Sequence, residues 1–307
     1  MPQQAQLNHI IDQIGQTILG KHEQIKLALS CLFAGGHLLI EDIPGIGKTT
    51  LAKVLSGCMG LEFRRVQFTS DMLPGDILGS TIFDRTTSEF IFHPGPVFTQ
   101  VLLADEINRA TPKTQSALLE AMEERQVTTD RETRLLPEPF FVIATQNPVE
   151  LSGTFLLPES QMDRFLMRIE LGYPDRAAER QLLLGDTIQR QALTYTQQCL
   201  TPQDVLKLQH QVRAVDAAEP FIAYLQDILA FSRTSPHFHM GLSPRAGLAL
   251  LQAAKSWAMM SGRDFVLPED LQAILVPVVG HRLRSRDDYA EISGKRLESL
   301  FHEVAVP

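Results

Sequence analysis

The residues best equipped for chemistry lie in Glu41-Asp42-Ile43-Pro44-Gly45-Ile46-Gly47-Lys48-Thr49-Thr50. This stretch follows an apolar run, His37-Leu38-Leu39-Ile40, that reads as a buried strand. It opens a helical pattern with Leu51, Ala52, Val54 and Leu55 on one face. A strand, a glycine-bearing turn and a helix are what a phosphate-binding loop requires. Gly45 and Gly47 let backbone N–H groups turn inward around phosphate oxygens, and the helix N-terminus adds partial positive charge. Lys48 reaches the β- and γ-phosphates in such a loop, and the Thr49 hydroxyl holds Mg²⁺. Asp42 through Thr50 are therefore the candidate nucleotide-binding residues. Asp42 departs from the usual pattern, which carries glycine there. Without its context, the same string would be an ordinary turn opening a helix.

A second pair, Asp105-Glu106, ends the apolar run Val101-Leu102-Leu103-Ala104. Carboxylates at the end of a buried strand are costly unless they face solvent, bind a cation or do chemistry. Downstream of a phosphate loop, Asp105 is a candidate Mg²⁺ ligand and Glu106 a candidate for polarising an attacking water. A third apolar run, Phe140 to Thr145, ends at Gln146-Asn147-Pro148. Asn147 can orient that water or sense the γ-phosphate; Asn-Pro can also be only a turn.

These groups need elements to carry them. The chain has 307 residues and is 44% hydrophobic, enough for one or two domains with a sizeable core. Its net charge of −8 argues against a protein that coats nucleic acid without sequence preference. Cys31, Cys58 and Cys199 have no paired spacing and suggest free thiols in a reducing compartment. No apolar run reaches membrane-spanning length and the first residues are polar, so the expectation is a cytoplasmic protein.

In chain order, Leu7 to Leu19 and Glu23 to Phe33 have helical periodicity, interrupted at Gly20. This segment can wall a nucleotide base or simply pack. Phe63 to Phe68 alternates like a strand, and Asp71 to Gly79 reads as a short broken helix. Thr81-Ile82-Phe83 and Glu89-Phe90-Ile91-Phe92 flank a polar turn and predict a hairpin, whose aromatics are expected in the core rather than against a partner. Thr111-Pro112 opens a helix to Glu124. A second hairpin spans Arg125 to Leu136 with a charged tip at Asp130-Arg131-Glu132, and Met167 to Leu171 is a last strand.

From Pro174 on, strand patterns vanish. Helices are expected from Asp175 to near Gly185 and at Thr201-Pro202, Glu219-Pro220, Ser243-Pro244 and Leu267-Pro268. The boundary falls near Tyr173 to Arg176, dividing a nucleotide-binding region, 1–173, from a helical one, 174–307. Arg245 lies in the first turn of the Ser243-capped helix, where a cation opposes the helix dipole by about 0.3–1 kcal/mol. That placement suggests an anionic partner such as phosphate, although an exposed arginine can be tolerated there. His237 and His239 lack a third nearby ligand and are assigned no metal.

Taken together, Pro44-Gly45-Ile46-Gly47-Lys48-Thr49, Asp105-Glu106-Ile107-Asn108-Arg109-Ala110, Ala144-Thr145-Gln146-Asn147-Pro148, Met162-Asp163-Arg164-Phe165 and Ser243-Pro244-Arg245-Ala246 resemble the MoxR subfamily of AAA+ ATPases over nearly the whole chain. The resemblance implies an α/β fold, a five-stranded parallel sheet between helices, with a C-terminal all-α lid. It implies that Asn147 is the sensor-1 residue, Arg164 the arginine finger and Arg245 the sensor-2 arginine. The two hairpins become the helix-2 insert and the pre-sensor-1 hairpin. Such proteins are hexameric, chaperone-like ATPases that often work with von Willebrand factor A domain proteins. This chain has no Asp-x-Ser-x-Ser motif, so that domain would belong to a partner. The expected activity is hydrolysis of ATP with Mg²⁺, with Lys48, Glu106, Asn147, Arg164 and Arg245 serving the reaction and Thr49 and Asp105 the metal. The expected outcome is remodelling or activation of a protein client. The alternatives are a nucleic-acid motor or a magnesium-chelatase-type subunit, which shares both hairpins, and, from another class, a small-molecule kinase.

Overall fold

The computed structural model describes residues 2–130, 132–148, 153–184 and 197–306. Helices α1 (Pro2–Gly15) and α2 (His22–Phe33) precede β1 (Leu38–Glu41), α3 (Lys48–Cys58) and β2 (Phe63–Gln67). A short helix, α4 (Pro74–Leu78), leads to the hairpin β3 (Gly79–Asp84) and β4 (Glu89–Pro94). Then come β5 (Val101–Asp105), α5 (Pro112–Glu124), the hairpin β6 (Gln126–Thr129) and β7 (Glu132–Leu135), β8 (Phe141–Gln146), α6 (Glu159–Met162) and β9 (Met167–Ile169). Beyond β9 the described elements are helices: α7 (Arg176–Leu183), α8 (Pro202–Ala214), α9 (Glu219–Thr234), α10 (Pro244–Met260), α11 (Pro268–Val279) and α12 (Gly294–Phe301).

The apolar runs assemble into a five-stranded parallel sheet in the order β2-β5-β8-β1-β9. Its central strands are buried on both faces, as parallel strands covered by helices must be. Side chains alternate between the two faces. Leu38, Ile40, Leu103 and Ile143 join the apolar cluster that holds α1, α2 and α3; Leu39, Leu102, Ala104 and Val142 join the one that holds α5. The first cluster runs on into α8 through α12, so α1 and α2 pack against helices from the far end of the chain. Polar contacts reinforce that seam. Ser256 Oγ donates to the Ser30 carbonyl at 2.8 Å, Gln209 Nε2 donates to the Leu32 carbonyl at 2.8 Å, and Lys26 Nζ lies 3.8 Å from the Trp257 ring centre.

The expected helix starts are present. Asp175, Thr201 and Ser243 each accept a backbone N–H three residues on, and proline occupies the first turn of α8 through α11. The N-terminal periodicity splits where Gly20 adopts φ +70°. Helix α12 had no sequence signal; Ser293, at its cap, makes no side-chain capping bond. Gly185 and Arg131 lie outside the described residues. The first hairpin corrects an expectation. Phe90 is 75% exposed and Ile82 53%, so these aromatic and branched residues do not seal the core. Phe83 packs edge-on against Phe90 within the hairpin, and Phe92 is covered by Phe98 and the Arg134 guanidinium. The cysteines are free thiols, and among the described residues no helix is long and apolar enough to cross a membrane.

His37 locks the sheet to α5. Its Nδ1 accepts the Val142 N–H at 3.0 Å, so Nε2 carries the proton and donates to the Met122 carbonyl at 3.2 Å. Complete burial, and then the charge of Arg125, push its pKa down to about 4. An unfolded histidine titrates near 6.5. Between those values the unfolded chain binds a proton that the folded chain refuses, so His37 stabilises fully above about pH 6.5 and less as pH falls towards 4. In urea titrations between pH 7 and 4, wild type should lose about 1–3 kcal/mol more than His37→Gln, whose amide can make both contacts uncharged. Parallel losses in the two proteins would contradict this.

Candidate functional site

Parallel pairing brings the carboxyl ends of β1, β5 and β8 to one edge. Glu41 is level with Gln146, and Ala104 with Ala144. The segment from β1 turns into α3 through Gly45 at φ +86° and Gly47 at φ +99°. A Cβ at either would meet nothing within 4 Å, so the backbone angle, not crowding, requires glycine. Lys48 begins α3 and is half-buried. Burial lowers its pKa, opposed by the charges of Asp42, Asp105 and Glu106, and its Nζ donates to the Asp42 carbonyl.

Asp42 does not have a positive φ, so the position tolerates a side chain. Its Oδ1 accepts the Ile43 N–H at 2.8 Å and its Oδ2 the Gly172 N–H at 2.6 Å. The Ile43 N–H is thus already engaged, leaving later amides of the loop to meet an anion.

The two carboxylates are held separately. Asp105 is buried; its Oδ1 accepts from Thr145 Oγ1 at 2.6 Å and its Oδ2 from Arg65 Nε and Nη2 at 3.0 and 2.7 Å. Thr145 Oγ1 also accepts the Glu106 N–H at 2.9 Å. Glu106 adopts φ +56°, which turns the chain sharply after the strand. Its Oε2 accepts from Gln67 Nε2 at 2.7 Å and pairs with Arg109 Nε at 2.9 Å. Arg65, Gln67 and Thr145 had no assigned role in the sequence. Their signal was faint: Arg65 and Gln67 share one side of an alternating strand, and Thr145 ends an apolar one.

A cavity of about 350 Å³ brings Pro44, Gly45, Gly47, Lys48, Thr49 and Thr50 together with Arg65, Gln67, Asp105, Glu106 and the buried Asn147. Hydroxyl and carboxylate oxygens converge there, and that donor chemistry suits a hard cation such as Mg²⁺. Thr49 and Asp105 are the residues that fit it, with Arg65 already bonded to one Asp105 oxygen. An adjoining, more apolar cavity of about 440 Å³ is lined by Thr17, Ile18, Leu19, Lys21, Tyr173 and Pro174 together with Gly45 and Ile46 of the loop. The N-terminal helices pack, and the turn between them, rather than the Glu23–Phe33 stretch, lines the cavity beside the loop.

Among the described residues, Arg164 and Arg245 line neither cavity. They meet each other's neighbourhood at Glu123 on α5: Arg164 Nε lies 2.7 Å from Oε2 and Arg245 Nη1 2.8 Å from Oε1. Burial alone would raise the Glu123 pKa, but Arg245 and Arg164 hold it below the usual carboxylate range. Next to them, Asp163 pairs with the buried Arg282 at 2.6 Å. The anion that Arg245 finds within its own chain is thus a carboxylate.

Comparison with known proteins agrees with this geometry. The family model for the ATPase family associated with various cellular activities (AAA) matches residues 37–167, and the AAA lid domain model matches 230–303. The chain is 40% identical to Uncharacterized protein YeaC of Bacillus subtilis, covering 97% of this chain and 92% of that protein. It is 38% identical to Chaperone MoxR1 of Mycobacterium tuberculosis, covering 90% and 75%. A crystal structure assigned as an ATPase from Cytophaga hutchinsonii superposes with a TM-score of 0.88 at 33% identity, covering 98% of this chain and 94% of that one.

The Thr145 hydroxyl is the hinge of the carboxylate pair. Thr145→Val keeps the shape but strips Asp105 of a donor and the Glu106 N–H of an acceptor. It should destabilise the fold by about 1–3 kcal/mol, read from the denaturation midpoint. An unchanged midpoint would mean that water replaces the hydroxyl freely.

Proposed function

The chain belongs to the MoxR family of AAA ATPases, and from that premise we propose that it hydrolyses ATP with Mg²⁺ and uses the cycle to remodel or activate a protein client. The observation that carries this reading is the single cavity shared by Lys48, Thr49, Asp105, Glu106 and Asn147. Backbone amides of Gly45 to Thr50 receive the phosphates at the start of α3, and Lys48 brings its ammonium to the β- and γ-phosphates. The adjoining apolar cavity takes the base. Glu106, held by Gln67 and Arg109, orients a water for in-line attack on the γ-phosphorus and accepts its proton; the bond to the β-phosphate oxygen breaks, leaving ADP and phosphate. Asn147 positions the same water or the γ-phosphate. Thr49 and Asp105 would hold Mg²⁺, which neutralises charge on the phosphates when bound.

Arg164 and Arg245 act on the nucleotide of a neighbouring copy in this reading. Their contact with Glu123, away from the chain's own cavity, supports a ring in which each copy completes the next, six copies in the family's usual form. The client is a protein, with a von Willebrand factor A domain partner the first candidate, and the setting is the cytoplasm. The name of the mycobacterial relative, a chaperone, points the same way.

Lys48→Ala should abolish tight ATP binding, and an unchanged affinity in a titration would refute the phosphate-loop reading. Glu106→Gln should bind ATP yet lose hydrolysis; normal turnover would assign the water to another residue. Arg164→Ala should lower turnover by about 10³–10⁵, the range seen for arginine fingers. Mixing Arg164→Ala with Glu106→Gln should then restore part of the activity, because some interfaces join an intact Glu106 to an intact Arg164. Mixed rings seen by mass spectrometry without recovered turnover would remove the assignment in trans.

A further inference from the structure

Asp42 stands where phosphate loops ordinarily carry glycine, and the reaction described above makes no use of its side chain. The substitution is unfavourable in itself. Its charge is close enough to act on the Lys48 ammonium, and a carboxylate at the head of the loop repels an incoming phosphate. What the carboxylate gains lies outside the loop. Oδ2 accepts the N–H of Gly172 at 2.6 Å, and Gly172, at φ +64°, begins the Gly172-Tyr173-Pro174 linker between β9 and α7. Tyr173 and Pro174 line the apolar cavity, and the Tyr173 carbonyl accepts from Lys21 Nζ at 2.7 Å. The preceding residue makes a parallel tie. Glu41 Oε2 pairs with Arg168 Nη1 at 2.8 Å, and the same guanidinium pairs with Glu291, which lies between α11 and α12. Two consecutive acids therefore fasten the head of the loop to the linker and to the helical region.

We propose that Asp42 is a positioning residue that couples the phosphate loop to the Gly172-Tyr173-Pro174 linker, so that phosphate bound at Lys48 sets the position of the helices beyond. The inference rests on the reading that this loop binds ATP. One residue touches both partners: its carbonyl accepts from Lys48 and its carboxylate holds Gly172. When Lys48 turns its ammonium to phosphate, the carbonyl loses a donor, and the Asp42–Ile43 peptide can turn about the Asp42 N–H, which stays bonded to the Gln146 carbonyl at 3.1 Å. A carboxylate bonded to the linker carries that shift across; glycine could not.

The test uses the full chain and hydrogen–deuterium exchange of the peptide carrying Gly172 and Tyr173, with and without ATP, on a Glu106→Gln background that keeps ATP intact. ATP affinity and, with Glu106 present, turnover are measured beside it. If the parent protein binds no ATP, the ATPase reading fails before Asp42 is touched. If it binds, ATP should change exchange in the linker peptide, by about tenfold for one charge-assisted hydrogen bond. Asp42→Ala should bind ATP within about threefold of the parent, or tighter from lost repulsion. It should lose the ATP-dependent change and turn over at least about tenfold more slowly at saturating ATP. Asp42→Asn, which keeps one acceptor oxygen, should fall between and serves if the alanine variant folds poorly. The proposal is overturned if the ATP-dependent change survives in Asp42→Ala or Asp42→Asn, or if turnover falls only in proportion to ATP affinity. It is equally overturned if ATP leaves linker exchange unchanged in a parent that binds it.

Discussion

The site depends on one constraint, the common register of β1, β5 and β8. A parallel sheet delivers the carboxyl ends of its strands to one edge, where a loop after one strand faces side chains at the ends of the others. Here that edge gathers an ammonium, two carboxylates and a glycine turn into one cavity. Left unpaired, such charges would be too costly at the margin of a buried sheet. Thr145 resolves the conflict by serving both acids at once, donating to Asp105 and accepting from the Glu106 backbone. Arg65 and Gln67 do the rest from the neighbouring edge strand. The two carboxylates are therefore fixed by bonds that cross three strands.

That non-local character explains what the sequence could and could not reveal. Phosphate loop, apolar strands and proline-marked helix starts are local patterns, written in consecutive residues, and the structure follows them closely. The partners of Asp105 and Glu106 come from strands whose order a single sequence does not give, so Arg65, Gln67 and Thr145 went unassigned. Helix α12 lacks a side-chain cap and a proline start, the signals that announced its neighbours. The first hairpin misled for a different reason. The aromatics of Ile82-Phe83 and Phe90-Ile91 read as core residues, yet they lie on a separate two-stranded sheet and are exposed. Alternation marks a strand, not what covers it.

Arg245 shows how a local argument can be right about chemistry and silent about place. A cation in the first turn of a helix opposes the dipole, a cost that an exposed arginine can tolerate or an anionic partner can offset. Such a partner exists, but it is Glu123, which Arg164 shares. Arg245 also lies 3.9 Å from Asp163, and the side chains of both arginines keep a quarter or more of their surface open to solvent. Behind them Asp163 and Arg282 form a tighter, more buried pair. The Glu123 pair is therefore the more exposed of the two ion-pair groups.

The packing of α1 and α2 gives this division its mechanical sense. Because they share an apolar cluster with the helices after β9, the phosphate loop lies on a seam rather than inside an isolated lobe. One side of the apolar cavity is the Thr17–Lys21 turn, another the Tyr173-Pro174 linker, and its floor the loop itself. A molecule filling that space touches all three. Lys21 already joins turn to linker, and Asp42 joins loop to linker, so movement of one wall loads the others. Had position 42 been glycine, the loop would meet phosphate with less repulsion and keep only the Glu41–Arg168 tie to the segments beyond. A carboxylate there weakens the local attraction for anions while tying the loop to the segment that leads into the helices, a trade that makes physical sense only if binding must be felt at a distance.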